Sequence, residues 1–145
     1  PPRTLRSRQQ REPVPDIKQH IYQDAHDPTH MNAEDGSSHR KNGVQKRILQ
    51  KLKRGQFPVS EQLDLHSMST VTGHTALLEF IEGIANQTLE CVRIIHGKGL
   101  RSDDGPRLKL MARKLLREHP RVLAFTDCKP ADGGSGAVDV LLRSS

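Results

Sequence analysis

Apolar side chains crowd into the second part of the chain: residues 62–145 hold 34 of them in 84 positions, whereas residues 1–61 hold 14. Only the second stretch can bury enough surface to offset the entropy of ordering its backbone. Charge divides the other way. Residues 1–60 contain 12 basic and 6 acidic residues and residues 61–145 contain 11 of each, so the net charge of +6 belongs to the first part. One folded domain behind a basic lead-in is the expectation for a chain so divided.

Whole classes fall away on this pattern. No run approaches the roughly 18 apolar residues that a membrane span needs, and no charged stretch leads into an apolar one as a signal peptide would. Cys91 and Cys128 are too few for a disulfide framework and stand in no metal-ligand spacing. The expectation is a reduced, cytoplasmic protein with no membrane partner. The positive charge permits a nucleic-acid partner without specifying one.

Residues 1–41 are expected to be a disordered polar tail, rich in proline and poor in apolar side chains. Four of the eight histidines, His20, His26, His30 and His39, lie in it at spacings of 6, 4 and 9 that match no compact metal site. Residues 42–61 read as a basic helix and linker. Val44, Ile48 and Leu52 recur every four residues with Leu49 beside them, which predicts a helix over 42–54 stopped by Gly55. From Arg40 to Arg54 there are seven basic residues and no acidic one, among them Lys46, Arg47, Lys51, Lys53 and Arg54. Either this helix packs on the next domain with a solvated basic face, or it is an arm that binds phosphates.

Residues 62–145 read as an α/β domain, an α+β two-layer sandwich of order β-α-β-α-β-β with helices covering a mixed sheet. Leu63 and Leu65 lie on a short strand ending at His66. Ser69 can cap a helix running to about Asn86, with Leu77, Phe80, Ile81 and Ile84 inward. Leu89 to Ile95 is a second strand. Asp103-Asp104-Gly105-Pro106 opens a helix that ends before Pro120, its apolar face Leu108, Met111, Ala112, Leu115 and Leu116. Its other face carries Arg107, Lys109, Arg113, Lys114 and Arg117. Strands beginning at Val122 and Ala137 complete the domain.

Two constellations fall where strands end, the place where α/β domains put their ligands. In Leu63-Asp64-Leu65-His66, strand alternation puts Asp64 and His66 on one face. The carboxylate can then orient the imidazole and favour its charged form. Taken alone, an Asp-x-His is more often a histidine bonded to nearby backbone. In Ile95-His96-Gly97-Lys98-Gly99 the glycines let the backbone approach a ligand, bare N–H groups can receive an anion, and Lys98 can meet a phosphate as a point charge. Taken alone it is a turn, and it does not match the nucleotide-binding P-loop. A third segment, Gly133-Gly134-Ser135-Gly136-Ala137, reads by itself as a hairpin connection.

Together, Leu-Asp-Leu-His at 63–66, Ile-Ile-His-Gly-Lys-Gly at 94–99 and Gly-Gly-Ser-Gly-Ala at 133–137 resemble the Smr (small MutS-related) domain over residues 62–143. The lead-in from Lys51 to Phe57 resembles that of stand-alone bacterial members. The resemblance implies a fold like the C-terminal domain of translation initiation factor three. It also implies nucleic-acid binding with endonuclease activity on RNA or nicking of DNA, and the ribosome is a further candidate partner. It maps the Asp-x-His motif onto Asp64 and His66 and the His-Gly-x-Gly motif onto His96, Gly97 and Gly99. The family commonly has glycine after the first histidine, where this chain has Ser67.

The expected activity is a monomeric phosphodiesterase preferring RNA. One histidine takes the 2′-hydroxyl proton, the other protonates the leaving oxygen, and Lys98 with loop N–H groups steadies the phosphorane. The nucleic-acid contacts expected are Gly97, Lys98, Gly99, Arg101, Arg107, Gly133, Gly134, Gly136, Lys46, Arg47, Lys51, Lys53 and Arg54. This chemistry requires no metal, and no metal-ligand set is assigned; Asp64 with Asp103 or Asp104 could still hold Mg²⁺ weakly. The alternative is a binding module without catalysis, acting in translation quality control or DNA repair.

Overall fold

The computed structural model describes residues 37–99 and 105–145. Five strands form one sheet: β1 (Ser38–Arg40), β2 (Val59–Asp64), β3 (Glu90–Ile95), β4 (Val122–Asp127) and β5 (Ala137–Leu142). Three helices accompany them: α1 (Lys46–Lys53), α2 (Thr70–Gly83) and α3 (Gly105–Glu118). The sheet order is β1-β4-β5-β3-β2. Strands β2 and β3 are parallel, which requires a crossover, and α2 supplies it. Strand β5 runs antiparallel to both β3 and β4. It occupies the centre of the sheet, and every one of its residues is buried.

Alternation along the strands builds two cores. Val92 and Ile94 on β3 and Val138, Val140 and Leu142 on β5 face Leu77 and Ile81 of α2 and Leu108, Ala112 and Leu116 of α3. Cys91 and Leu141 face the other way, with Leu123 and Ala124, against Val44, Ile48, Leu49 and Leu52. Helices α2 and α3 meet closely at Gly73, where a Cβ would stand 2.6 Å from Leu108 Cδ1. Ser69 caps α2 as expected, its Oγ accepting from the Thr72 amide at 3.1 Å. No helix among the described residues is long and apolar enough to cross a membrane.

The β-α-β-α-β-β order expected for residues 62–145 is present as β2 to β5, but three expectations need correction. Residues 38–40, assigned to the tail, form β1 and pair with β4, Ser38 opposite Thr126 and Arg40 opposite Ala124. Polar side chains hold this edge. Arg40 Nη1 donates to the Val44 carbonyl at 2.7 Å, and Lys41 Nζ donates to the carbonyls of Val122, at 2.6 Å, and of His119. Helix α1, expected from residue 42, begins at Lys46 because the chain first turns through Gly43 at a φ of 92°. By packing on the second face, α1 adds a third layer to the two expected. The helix and strand of residues 37–61 are thus part of the sheet's packing. The remainder of the tail, with His20, His26 and His30, lies outside the described residues, as do Arg101, Asp103 and Asp104.

Candidate functional site

Parallel pairing of β2 with β3 brings Asp64 beside Ile95, so the segments that follow the two strands emerge together. Strand β5 starts at the same end, Ala137 opposite Ile95. All three motif segments therefore meet at one end of the sheet.

Strand β2 stops at Asp64, so His66 lies in the turn beyond it and strand alternation is not what pairs them. The turn does. Asp64 Oδ1 accepts the His66 amide at 3.0 Å and His66 Nδ1 at 2.6 Å, which is an aspartate side chain bonding backbone two residues on. A carboxylate can only accept, so Nδ1 carries a proton, and in the neutral ring the lone pair is on Nε2. The His66 side chain is 62% exposed and that of Asp64 48% exposed, so the pair lies at the protein surface. Ser67 follows at a φ of 74°, the one non-glycine residue with positive φ among those described. The position demands a left-handed residue, which fits the glycine that the resemblance leads one to expect there, and serine adopts the conformation at a cost.

His96 is different. Its ring is 1% exposed, with Nδ1 2.6 Å from the Gly97 carbonyl and Nε2 3.3 Å from Arg113 Nε. The carbonyl can only accept and the guanidinium can only donate, which assigns a neutral ring protonated on Nδ1. Burial, opposed by the Gly97 carbonyl and reinforced by Arg113 and Lys109, pulls its pKa down to about 4. A buried, neutral imidazole with both nitrogens engaged cannot protonate a leaving group. In this arrangement both His96 nitrogens are engaged inside the fold, so the geometry does not display the second acid–base role expected of it.

The glycines of the loops serve close approach. Gly97, at a φ of 89°, lies where a Cβ would stand 3.6 Å from His66 Cβ. The Gly136 carbonyl accepts the amides of His96 at 3.1 Å and Gly97 at 2.9 Å, so those two N–H groups, expected to be bare, are already engaged. Gly99, at a φ of 80°, abuts the start of α3, and a Cβ there would stand 3.3 Å from the Gly105 carbonyl oxygen. Gly133 and Gly134 also have positive φ, at 121° and 55°. Lys98 is exposed beside Gly136.

The basic residues divide between two faces of the sheet. Arg107 and Lys109 lie on α3, Lys109 near His96. On the opposite face α1 runs toward the site, and Lys129 Nζ reaches the Arg54 carbonyl at 3.5 Å. This puts Lys53 and Arg54 at the site's end of the sheet. Lys46 and Arg47 sit about 10 Å farther back along the helix, and Lys51 lies 4.9 Å over the Phe57 ring. A cavity of about 180 Å³ between Leu52, Phe57, Arg93, Lys129 and Asp139 lies on this face too. Its Arg93 is already paired with Asp139 through bonds of 2.8 and 3.2 Å. Among the described residues no group of three or more His, Cys, Asp or Glu could hold a metal ion.

Three residues of the site region escape sequence reasoning: Arg113, Asp127 and Lys129. Arg113, expected on the basic face of its helix opposite the apolar stripe, is 7% exposed, and its Nη2 donates to Asp127 Oδ1. The available signal is its place next to Ala112, at the flank of the apolar stripe.

Comparison with known proteins places the chain in a family. A family model for the Smr domain matches residues 63–143. The chain is 30% identical over 123 residues to the ribosome rescue factor SmrB of Aeromonas hydrophila, an alignment covering 85% of this chain and 67% of that one. It is 29% identical to the SmrB of Photobacterium profundum, covering 78% of this chain and 61% of that one. With the probable DNA endonuclease SmrA of Escherichia coli it shares 32% identity, over 73% of this chain and 57% of that one. The chain thus spans about three fifths of the length of the last two relatives. The crystal structure of YdaL, a stand-alone small MutS-related protein from Escherichia coli, aligns with a TM-score of 0.50 and 27% identity, over 74% of this chain and 82% of that one. The family match runs from the strand that carries Asp64 to the residue after the last strand of the sheet, and the chain belongs to the Smr domain family.

Proposed function

We propose that this protein binds nucleic acid and cleaves RNA, with His66 Nε2 as the atom that moves the proton. One observation carries the reading: Asp64 fixes an exposed His66 ring through Nδ1, which leaves Nε2 for substrate, beside a glycine loop that bears an exposed lysine. Nε2 takes the proton of a ribose 2′-hydroxyl, the 2′-oxygen attacks phosphorus, and the bond to the 5′-oxygen breaks. The leaving oxygen takes its proton from water, the hydroxide so formed takes back the proton held at Nε2, and the products are a 2′,3′-cyclic phosphate and a 5′-hydroxyl. Lys98 offers positive charge to the phosphorane. Lys53, Arg54, Lys109 and Lys129 hold flanking phosphates.

Two of the relatives carry names that point to different polymers, a ribosome rescue factor and a probable DNA endonuclease. Ribosome association accompanies the RNA reading. DNA has no 2′-hydroxyl, so nicking would need His66 to activate water instead.

The test is cleavage of labelled single-stranded RNA, duplex DNA and branched DNA, with and without EDTA, by the wild type, His66→Ala and Asp64→Asn. His66→Ala should lose about 10²–10⁴-fold in rate on RNA while retaining binding, and a 2′-deoxy substitution at the cleaved position should block the reaction. Full cleavage by His66→Ala refutes the mechanism. Wild-type binding that weakens steeply with salt, without cleavage of any substrate, supports the non-catalytic module instead.

A further inference from the structure

Arg113 is a cation on the inner side of α3, and a buried cation is tolerated only when well paired. Its Nη2 donates to Asp127 Oδ1 at the end of β4, and its Nε donates to His96 Nε2 at 3.3 Å. His96 in turn donates from Nδ1 to the Gly97 carbonyl at 2.6 Å. Four residues from α3, β4 and the loop after β3 thus form one chain of hydrogen bonds that ends on the glycine nearest His66. Each link has a single allowed direction. Asp127 accepts, the guanidinium donates at both ends, and the ring must accept at Nε2 and donate at Nδ1.

We infer that Arg113 is a positioning residue: with Asp127 it locks the His96 ring in the Nδ1–H form and so holds the His96–Gly99 loop against the Asp64–His66 turn. The consequence for catalysis rests on the cleavage activity proposed above, whereas the lock itself does not. The chain explains why a histidine occupies a position sealed from solvent. Its ring spans the gap between a helix side chain and a loop carbonyl, and it is rigid enough to fix both. A misplacement of about 1 Å at a phosphate-binding loop can cost up to a hundredfold in rate.

The test uses Arg113→Met combined with Asp127→Asn, which removes the cation without leaving a partly buried carboxylate unpaired. The readouts are the imidazole nitrogen resonances of His96 by ¹⁵N NMR, cleavage kinetics on RNA, and RNA affinity. The wild type should show one Nδ1–H tautomer, and the double variant a mixture. Its kcat should fall about tenfold to a hundredfold while RNA affinity changes little. Arg113→Lys carries the same test if the double variant does not fold: an ammonium reaching only one of the two partners should again mix the tautomers. A single unaltered Nδ1–H tautomer in the folded variants overturns the lock. A mixed tautomer with unchanged kcat refutes its role in catalysis. If the wild type cuts no RNA, the nitrogen spectra still decide whether the lock exists.

Discussion

The Gly136 carbonyl accepts the Gly97 amide at 2.9 Å, and a Cβ on Gly136 would stand 3.2 Å from the Gly97 carbonyl carbon. Two backbones are in direct contact here, one leaving β3 and the other entering β5. The same Cβ would stand 3.2 Å from Lys98 N and 3.1 Å from Lys98 Cγ. A flexible side chain can move aside, but a backbone bonded to this one cannot. Gly136→Ala is therefore expected to displace the His96–Gly99 loop from its place between Gly136 and His66 and to destabilise the fold by about 1–3 kcal/mol. Urea unfolding and RNA cleavage measure the two effects. Adding Lys98→Ala should not restore stability, because the backbone contacts remain. Wild-type stability for Gly136→Ala would show that the loop yields freely.

Ser67 offers the opposite change. Its φ of 74° lies in the region where a side chain is strained and glycine is not. Ser67→Gly relieves that strain but makes the unfolded chain more flexible, so the net gain should be about 0.5–1 kcal/mol. For a domain of this size the melting temperature should rise by about 2 °C. The Asp64–His66 hydrogen bonds should survive, because serine already holds the turn that glycine would take. A lower melting temperature would mean that the Ser67 hydroxyl contributes more than its backbone costs.

Most of the main sheet was legible because its strands are apolar runs bounded by turn residues and its helices carry regular stripes. Strand β1 was not. Ser38, His39 and Arg40 have no alternation to read, and what keeps them in the sheet is backbone pairing with β4, distant in sequence, backed by local side-chain bonding such as that of Arg40 to Val44. The stripe of α1 was read from Val44, Ile48 and Leu52. That it covers the second face of the sheet depends on Cys91, Leu123 and Leu141, which are distant in sequence. The motifs located Asp64, His66 and the glycines, but they could not tell an exposed histidine from a buried one. The ring of His96 is sealed by Arg113, 17 residues away on another element, and no local pattern encodes that pairing.

The sealed ring makes stability depend on pH. Free histidine titrates near 6.5, whereas His96 in the folded protein is held down to about 4 by burial, with Arg113 and Lys109 of α3 adding to the effect and the Gly97 carbonyl and Asp127 of β4 opposing it. The unfolded chain therefore takes up its proton first as pH falls. Stability from this residue is present above about pH 6.5 and is lost progressively toward pH 4. Linkage gives a loss of about 2 kcal/mol between pH 7 and pH 5. Urea unfolding of the wild type and of His96→Gln across that range isolates the contribution, since the other histidines are common to both. Parallel curves for the two proteins would show that His96 titrates normally in the fold.

The two ends of α1 should contribute unequally to substrate binding. Lys53 and Arg54 stand at the site's end of the sheet, where Lys129 Nζ meets the Arg54 carbonyl, and Lys46 and Arg47 begin the helix at its far end. All four are exposed, so neutralising them should leave the fold intact. Each phosphate-binding cation that is neutralised lowers the salt slope of binding by about 0.7 for a single strand. Lys53→Gln with Arg54→Gln should lower the slope by more than one, and it should slow RNA cleavage at limiting substrate. Lys46→Gln with Arg47→Gln should do less of both on a short RNA, which ends before it reaches the far end of the helix. Lengthening the RNA should bring the far pair into play. Equal effects of the two pairs on the short RNA would mean that the strand runs along the whole of α1 rather than across its end.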